Sequence, residues 1–276
     1  MSGPSIDLFT RHWTIDEKRQ ATQADFWNGR APSFQAHKEK VNVRRRRDFV
    51  DWVAGKCRLD HAARVLDLGC GTGHYALLWS RWAAEVQAFD LSPKMIELAR
   101  ANAARSGIKI DFSVLDWRRA EPARLGWHKR FDLSFACRTP AICDRPTLEK
   151  MLAVTKGFGV LVGLAEQKSA LKDELNEIIE RDRESFQAAR SVYSAFNLLW
   201  LMGYLPEVSY FKQHWTESLT LEEALALQNR YLEQAGPLTE DESRVLRNFL
   251  ESKLTGGIIT EEVEAVSAVI IWPMER

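Results

Sequence analysis

Between residues 64 and 164 the apolar positions follow two alternating rhythms. Short apolar runs at Arg64–Leu68, Glu85–Asp90, Ile108–Leu115, Phe131–Ala136 and Gly159–Leu164 predict strands. In the third run Ile108, Ile110, Phe112 and Val114 alternate with polar residues, as on a half-buried strand. Helical spacing fills the gaps at His74–Ala84, Pro93–Arg105 and Pro146–Thr155. Ser92 and Pro93 suit a helix cap and a first helical position, and Gly107 suits a helix stop. Strands alternating with helices in this way predict a parallel sheet with helices on both faces.

The flanks read differently. Thr14–Trp27 is polar with scattered apolar residues and reads as helical. Asn28-Gly29-Arg30-Ala31-Pro32 is a breaker cluster. Val41–Ala54 predicts a helix with Phe49, Val50 and Val53 on one side and Arg44–Arg47 ahead of them. Beyond the core, Ser169–Met202 predicts two helices stopped by Gly203. Val208–Trp215 and Glu262–Trp272 predict two more strands. Between them Thr220-Leu-Glu-Glu223 and Thr239-Glu-Asp-Glu242 are capping boxes that open helices expected to cover one end of the sheet.

The chain has 276 residues, enough to bury a full core without metal or disulfide staples. Lys plus Arg equals Asp plus Glu at 38 each, which argues against a dedicated nucleic-acid binder. Cys57, Cys70, Cys137 and Cys143 form no Cys-x-x-Cys pair, so a reducing compartment is expected. The longest apolar stretches, Phe196–Leu205 and Ala265–Trp272, fall short of the ~20 residues that cross a bilayer. The opening residues carry no basic start followed by an apolar run. A cytoplasmic protein without a membrane partner is therefore the expectation. The histidines show no metal-binding spacing, so no metal is expected. Arg44–Arg47 spans about one helical turn and reads as a solvated face. Among the tryptophans, Trp79, Trp82, Trp200 and Trp272 read as core, and Trp27 and Trp117 as near a ligand.

The richest chemistry lies in Val65-Leu-Asp-Leu-Gly-Cys-Gly-Thr-Gly73. A buried strand turns into a helix through Gly69, Gly71 and Gly73, where glycine lets backbone approach a ligand. Such a loop occurs at the carboxyl ends of parallel strands, where these sheets bind nucleotides. Three successive strand ends present an acid: Asp67, Asp90 and Asp116. Asp90 stands where a carboxylate accepts hydrogen bonds from ribose hydroxyls. Asp116 is placed to accept from an adenine amine, with the Trp117 ring beside it for stacking. A nicotinamide enzyme also carries a glycine loop, but its spacing is Gly-x-Gly-x-x-Gly, and here the third such position is His74. Asp67 directly before the loop suits the ammonium of a methionine moiety and would repel a pyrophosphate.

This segment resembles the first motif of class I S-adenosylmethionine-dependent methyltransferases. Phe89-Asp90-Leu-Ser-Pro-Lys-Met95 resembles the family's second motif, and Val114-Leu-Asp116-Trp its third. Phe131-Asp-Leu-Ser-Phe-Ala136 resembles its fourth strand, whose end borders the transferred methyl group. Residues 24–34 are similar to a Trp-x-x-Arg-Ala segment that closes over the cofactor in some small-molecule members. The resemblance implies a doubly wound α/β fold, Rossmann-like and seven-stranded, mostly parallel with a C-terminal antiparallel hairpin, plus helical cap elements. It implies a helical segment at 1–60 covering the cofactor site, and a core at 61–276 with helical insertions at about 169–202 and 220–254. It implies S-adenosylmethionine as cofactor and S-adenosylhomocysteine as product. The cofactor contacts it implies are Trp27, Arg30, Asp67, Gly69, Cys70, Gly71, Gly73, Asp90, Leu91, Met95, Asp116, Trp117 and Cys137. Cys137-Arg-Thr-Pro140 stands where nucleic-acid amino-methyltransferases carry Asp/Asn-Pro-Pro-Tyr/Phe, which points away from such substrates.

The expected function is direct in-line methyl transfer to a small molecule. Transfer of another group from the cofactor, and cofactor binding without chemistry, are the alternatives. No general base is identified; Arg138 and His214 are the candidates for catalytic roles, and assembly as a homodimer stays open.

Overall fold

All five apolar runs of the central segment become strands: β1 (Arg64–Leu68), β2 (Glu85–Asp90), β3 (Asp111–Val114), β4 (Phe131–Cys137) and β5 (Thr155–Ser169). The computed structural model describes residues 6–11, 13, 23–40, 43–179, 187–233 and 236–275. The helices before and among these strands are α1 (Ile6–Arg11), α2 (Gln23–Lys40), α3 (Val43–Lys56), α4 (His74–Trp79), α5 (Pro93–Ser106) and α6 (Arg145–Val154). After β5 come α7 (Ala170–Ile178), α8 (Gln187–Leu201), β6 (Glu207–Leu219), α9 (Leu221–Leu232), α10 (Glu240–Ser252) and β7 (Ile259–Pro273). Most of the Thr14–Trp27 helix reading lies outside the described residues.

The seven strands form one sheet in the order β3-β2-β1-β4-β5-β7-β6. β1 pairs in parallel with β2 and β4, β2 with β3, and β4 with β5. The C-terminal strands add the expected antiparallel pair, so the sheet is mixed and Rossmann-like. Strand order reverses between β1 and β4, which opens a crevice at their carboxyl ends. Phe89, Phe131, Phe135 and Trp79 are buried around these central strands.

The chain divides into two compact units. The first comprises Met1–Gly163, Ser191–Val208 and Val269–Arg276, and the second Leu164–Arg190 and Ser209–Ala268. Within the second, Leu171, Leu175, Ala224, Leu225, Leu246 and Leu250 share an apolar core with Ile259. Both capping boxes form there: Thr220 with Glu223 opens α9, and Thr239 with Glu242 opens α10. Among the described residues no helix is long and apolar enough to cross a membrane.

Several boundaries moved for physical reasons. The breaker cluster at 28–32 breaks nothing, because α2 runs through Pro32. Tertiary contacts outweigh the local preference. Asn28 Oδ1 accepts from Ser92 Oγ at 2.6 Å and from Lys94 N at 3.2 Å, Ala31 is fully buried, and Gln35 pairs with Asn102. The helix after the glycine loop ends at Trp79 rather than Ala84. Trp82 Nε1 and Arg81 both turn to Asp51 Oδ1, at 2.8 and 2.9 Å. β3 begins only at Asp111, since Gly107 and Ile108 donate back to the end of α5. Trp200 is not core but 57% exposed, with its ring stacked beside Phe196.

The amide of Asn102 locks α2 to the core. Its Nδ2 donates to Thr72 O at 2.8 Å and to Gln35 Oε1 at 3.1 Å, while its Oδ1 accepts from Gln35 Nε2 at 3.1 Å. All of this is buried, so Asn102→Ala leaves polar groups unsatisfied and is expected to cost about 1–3 kcal/mol. Urea unfolding measures it, and an unchanged midpoint would contradict the lock.

Candidate functional site

The crevice is built around the turn that follows β1. Gly69, Gly71 and Gly73 have φ of 65°, 55° and 77°, in the left-handed region that favours glycine. A Cβ on Gly69 would lie 1.9 Å from Thr139 Oγ1, so the segment after β4 closes directly on the loop. A Cβ on Gly71 would lie 3.2 Å from Phe34 Cε1, so α2 lies over the loop. The backbone is tied to its neighbours: Cys70 N donates to Phe89 O at 2.9 Å, and Gly73 N to Cys70 O at 3.0 Å.

Asp90 ends β2 and accepts from Gly71 N and Ser92 N, each at 2.9 Å. Burial raises its pKa, and the backbone donors oppose the rise. Ser92 below it caps α5 by accepting from Met95 N. The acid thus spans the glycine loop and the start of the next helix.

Asp67 lies 2% exposed in the preceding strand. One carboxylate oxygen takes the Ala76 amide, while Oδ2 has no hydrogen-bond partner. Burial, then the charge of Asp90, pushes its pKa from 3.8 to about 8. An orphaned, buried carboxylate oxygen beside a glycine cradle fits the ammonium group of a methionine moiety. Between about pH 4 and about pH 8 the folded protein holds a proton that the unfolded chain releases, so stability falls as pH rises through that window. Asp67→Asn is expected to remove this slope, to be the more stable protein near pH 8, and to bind the cofactor more weakly. Urea midpoints across the window, with calorimetry of binding, check both halves. Parallel slopes for variant and wild type would contradict the burial argument.

The other predicted residues divide. Asp116 follows β3, accepts from Arg118 N at 3.0 Å and pairs with Arg119 at 3.6 Å. Leu91 is half-buried behind Asp90. Trp27 is half-buried on α2, donates to Gln23 at 3.2 Å and meets Phe34 edge-on at 6.1 Å. The Arg30 guanidinium lies over the Phe26 ring at 5.8 Å. Cys70 keeps its thiol protonated, because burial and then Asp67 and Asp90 raise its pKa. Cys137 ends β4 half-buried, and Arg138 follows with φ 49° and its N–H on Val162 O at 2.8 Å.

Three more of the expected residues have other partners or surroundings in the structure. The Trp117 ring is 2% exposed, stacked on Phe89 at 5.3 Å, and its Nε1 donates to Thr147 O. It is core and unavailable to stack on a ligand. The Met95 side chain is 1% exposed, so it too is core beneath the helix start. His214 belongs to the second unit, where it forms an exposed pair with Glu262 at 2.8 Å.

Sequence reasoning missed Phe34, Thr139, Asn28, Tyr75 and Arg46. Arg46 had a readable signal: it precedes Val50 by four and Val53 by seven, on the buried stripe of α3. The structure buries it to 7% while Arg44, Arg45 and Arg47 stay exposed, which corrects the reading of all four as a solvated face.

Residues 65–157 match the family described as "Methyltransferase domain", which spans the glycine loop, both acids and β4. The stretch from β1 to the start of β5 is thus similar to a methyltransferase domain. A ubiquinone biosynthesis O-methyltransferase of Xanthomonas campestris pv. campestris is 33% identical over 103 residues, 37% of this chain and 40% of its own length. Its counterpart from Xylella fastidiosa is 33% identical over 98 residues, 36% of this chain and 37% of its own length. The matches thus span about two fifths of those relatives' length. A provisionally named methyltransferase from Bacillus halodurans C-125, solved as a crystal structure, superposes with a TM-score of 0.51 at 16% identity. That superposition covers 82% of this chain and 99% of the other, a likeness of fold.

Proposed function

We propose that this protein is an S-adenosylmethionine-dependent methyltransferase acting on a small molecule. The observation that carries the reading is the pairing of buried Asp67, with its orphaned oxygen, and Asp90 across the glycine loop. When bound, S-adenosylmethionine would supply a sulfonium-activated methyl group for direct in-line displacement. Asp67 would hold the ammonium, the glycine loop the methionine backbone, Asp90 the ribose hydroxyls, and Asp116 with Leu91 the adenine. Trp27, Phe34 and Arg30 would let the N-terminal helices cover the cofactor and exclude water. The relatives' names speak of O-methylation, but each is matched over only about two fifths of its length. The acceptor atom is therefore open to test.

The test is turnover. With a pool of small hydroxylated, thiol and amine acceptors, the protein is expected to release S-adenosylhomocysteine faster than without them. Cofactor binding with no product from any acceptor would oppose the catalytic reading.

A further inference from the structure

α8 is apolar on both of its sides. Val192, Ala195, Leu198 and Leu199 are buried on one of them. A Cβ on Gly163 of β5 would lie 2.3 Å from Val192 Cγ2, so this side lies against the sheet. The opposite side carries Tyr193, Phe196 and Trp200 at helical spacing. Tyr193 is 63% exposed and Trp200 57%, with the Phe196 ring stacked beside Trp200 at 6.3 Å. At one end Phe9 of α1 meets the Tyr193 ring edge-on at 5.7 Å, and its neighbour Leu8 is exposed. At the other end the helix stops through Gly203, and Leu201 and Leu205 are exposed. A helix side that faces water is polar as a rule, and a helix apolar all round is a buried one.

Charge selects what covers this stripe. From Ser191 to Pro206 the chain has no Asp, Glu, Lys, Arg or His, although 28% of all its residues are charged. A bilayer surface is held by apolar side chains with Lys and Arg among them. A charged protein is recognised by charges of the opposite sign. The stripe offers neither. A second copy of the chain requires neither, because about a two-fold axis the stripe faces itself and no like charges meet. On its rim α1 exposes one charge of each sign, Asp7 and Arg11, which a two-fold can pair. The formal net charge of zero leaves no overall repulsion between copies.

Area agrees with this. The two exposed rings and three exposed leucines present roughly 500 Å² of apolar surface. A homodimer interface that hides about 800 Å² on each copy is about two-thirds apolar, which is nearly the same area. We propose that the outer stripe of α8 is the interface of a homodimer. Two α8 helices pack antiparallel about a two-fold axis, with Trp200 of each copy against Tyr193 of the other. This assembly stands apart from the methyltransferase reading and does not depend on it.

Sedimentation equilibrium of the full-length protein tests it. Between about 0.5 and 100 μM the mass is expected to rise from that of one chain to that of two, with a dissociation constant of about 10 μM or tighter. Tyr193→Glu and Trp200→Glu bring like charges together across the axis, and each is expected to weaken the dimer by about 100-fold or more. Trp200→Ala adds no charge and is expected to weaken it by about 10-fold or more. Both side chains are exposed, so the urea midpoints of these variants are expected to match that of a wild-type monomer. Ile178→Ser removes an exposed apolar side chain of α7 outside the stripe and is expected to leave the dimer intact. A wild type that keeps the mass of one chain throughout overturns the proposal. So does a dimer that survives both glutamate variants, or one lost equally in Ile178→Ser. Growth beyond two copies overturns the two-fold, because an isologous contact closes at two. A monomeric wild type that co-sediments with phosphatidylcholine vesicles, and no longer does so as Trp200→Glu, overturns it and assigns the stripe to a lipid surface.

Discussion

Gly69→Ala is expected to lower the affinity for S-adenosylmethionine by more than about 100-fold and to destabilise the protein by about 2–4 kcal/mol. Two costs combine. Residue 69 sits at φ 65°, where a side chain is strained by roughly 1–2 kcal/mol. The added methyl would also stand 1.9 Å from Thr139 Oγ1 and 2.7 Å from Thr139 Cβ, so the segment after β4 must move. Moving it breaks the bond from Ala141 N to Thr139 Oγ1 and shifts the wall of the crevice. Adding Thr139→Gly to Gly69→Ala removes the collision but not the backbone strain. The double variant should therefore recover part of the stability and less of the affinity. Urea unfolding and calorimetry report the two separately. A Gly69→Ala protein with native affinity would show that the loop does not bind through its backbone.

Asp90→Ala is expected to weaken cofactor binding by about 10- to 100-fold or more, from the loss of charge-assisted hydrogen bonds worth roughly 1.5–3 kcal/mol each. The carboxylate has two tasks. It accepts from Gly71 N and Ser92 N, which holds the loop to the start of α5. It also faces the place proposed for the ribose. Its removal leaves two amides short of an acceptor and the ligand's hydroxyls without a partner. Asp90→Asn keeps an acceptor oxygen but loses the charge, so it should fall between wild type and alanine. If alanine and asparagine both bind as wild type does, the ribose assignment fails.

The sequence announced the core well because its signals were local. Apolar runs at Arg64–Leu68 and Phe131–Ala136, the Ser92-Pro93 helix start and two Thr-x-x-Glu boxes each encode their own geometry within a few residues. Gly69, Gly71, Asp67 and Asp90 were legible for the same reason: a tight turn with flanking acids is a short pattern. What was hidden depends on distant contacts. The Asn28-to-Pro32 cluster reads as a break, yet Ser92, Lys94 and Asn102, more than sixty residues away, hold it helical. Trp117 looked like a stacking platform because it follows Asp116, but the side chain turned inward onto Phe89. Phe34 and Thr139 lie in segments the sequence singles out, but nothing local marks either residue. They matter only because the fold lays them on two glycines.

The second unit shows the same division. Its capping boxes and apolar stripes were readable, and they specify helices with a core of their own. Nothing in that pattern carries a ligand's signature, and His214 proved to be half of an exposed pair with Glu262. The glycine loop is where sequence and structure meet most closely, and there buried Asp67 and half-buried Asp90 flank the glycines.

The most direct test is a calorimetric titration of the wild-type protein with S-adenosylmethionine and S-adenosylhomocysteine, repeated with Asp90→Ala. The account predicts one-to-one binding of both ligands by the wild type and marked weakening in the variant. No heat of binding from either ligand, in a protein shown to be folded, would contradict it.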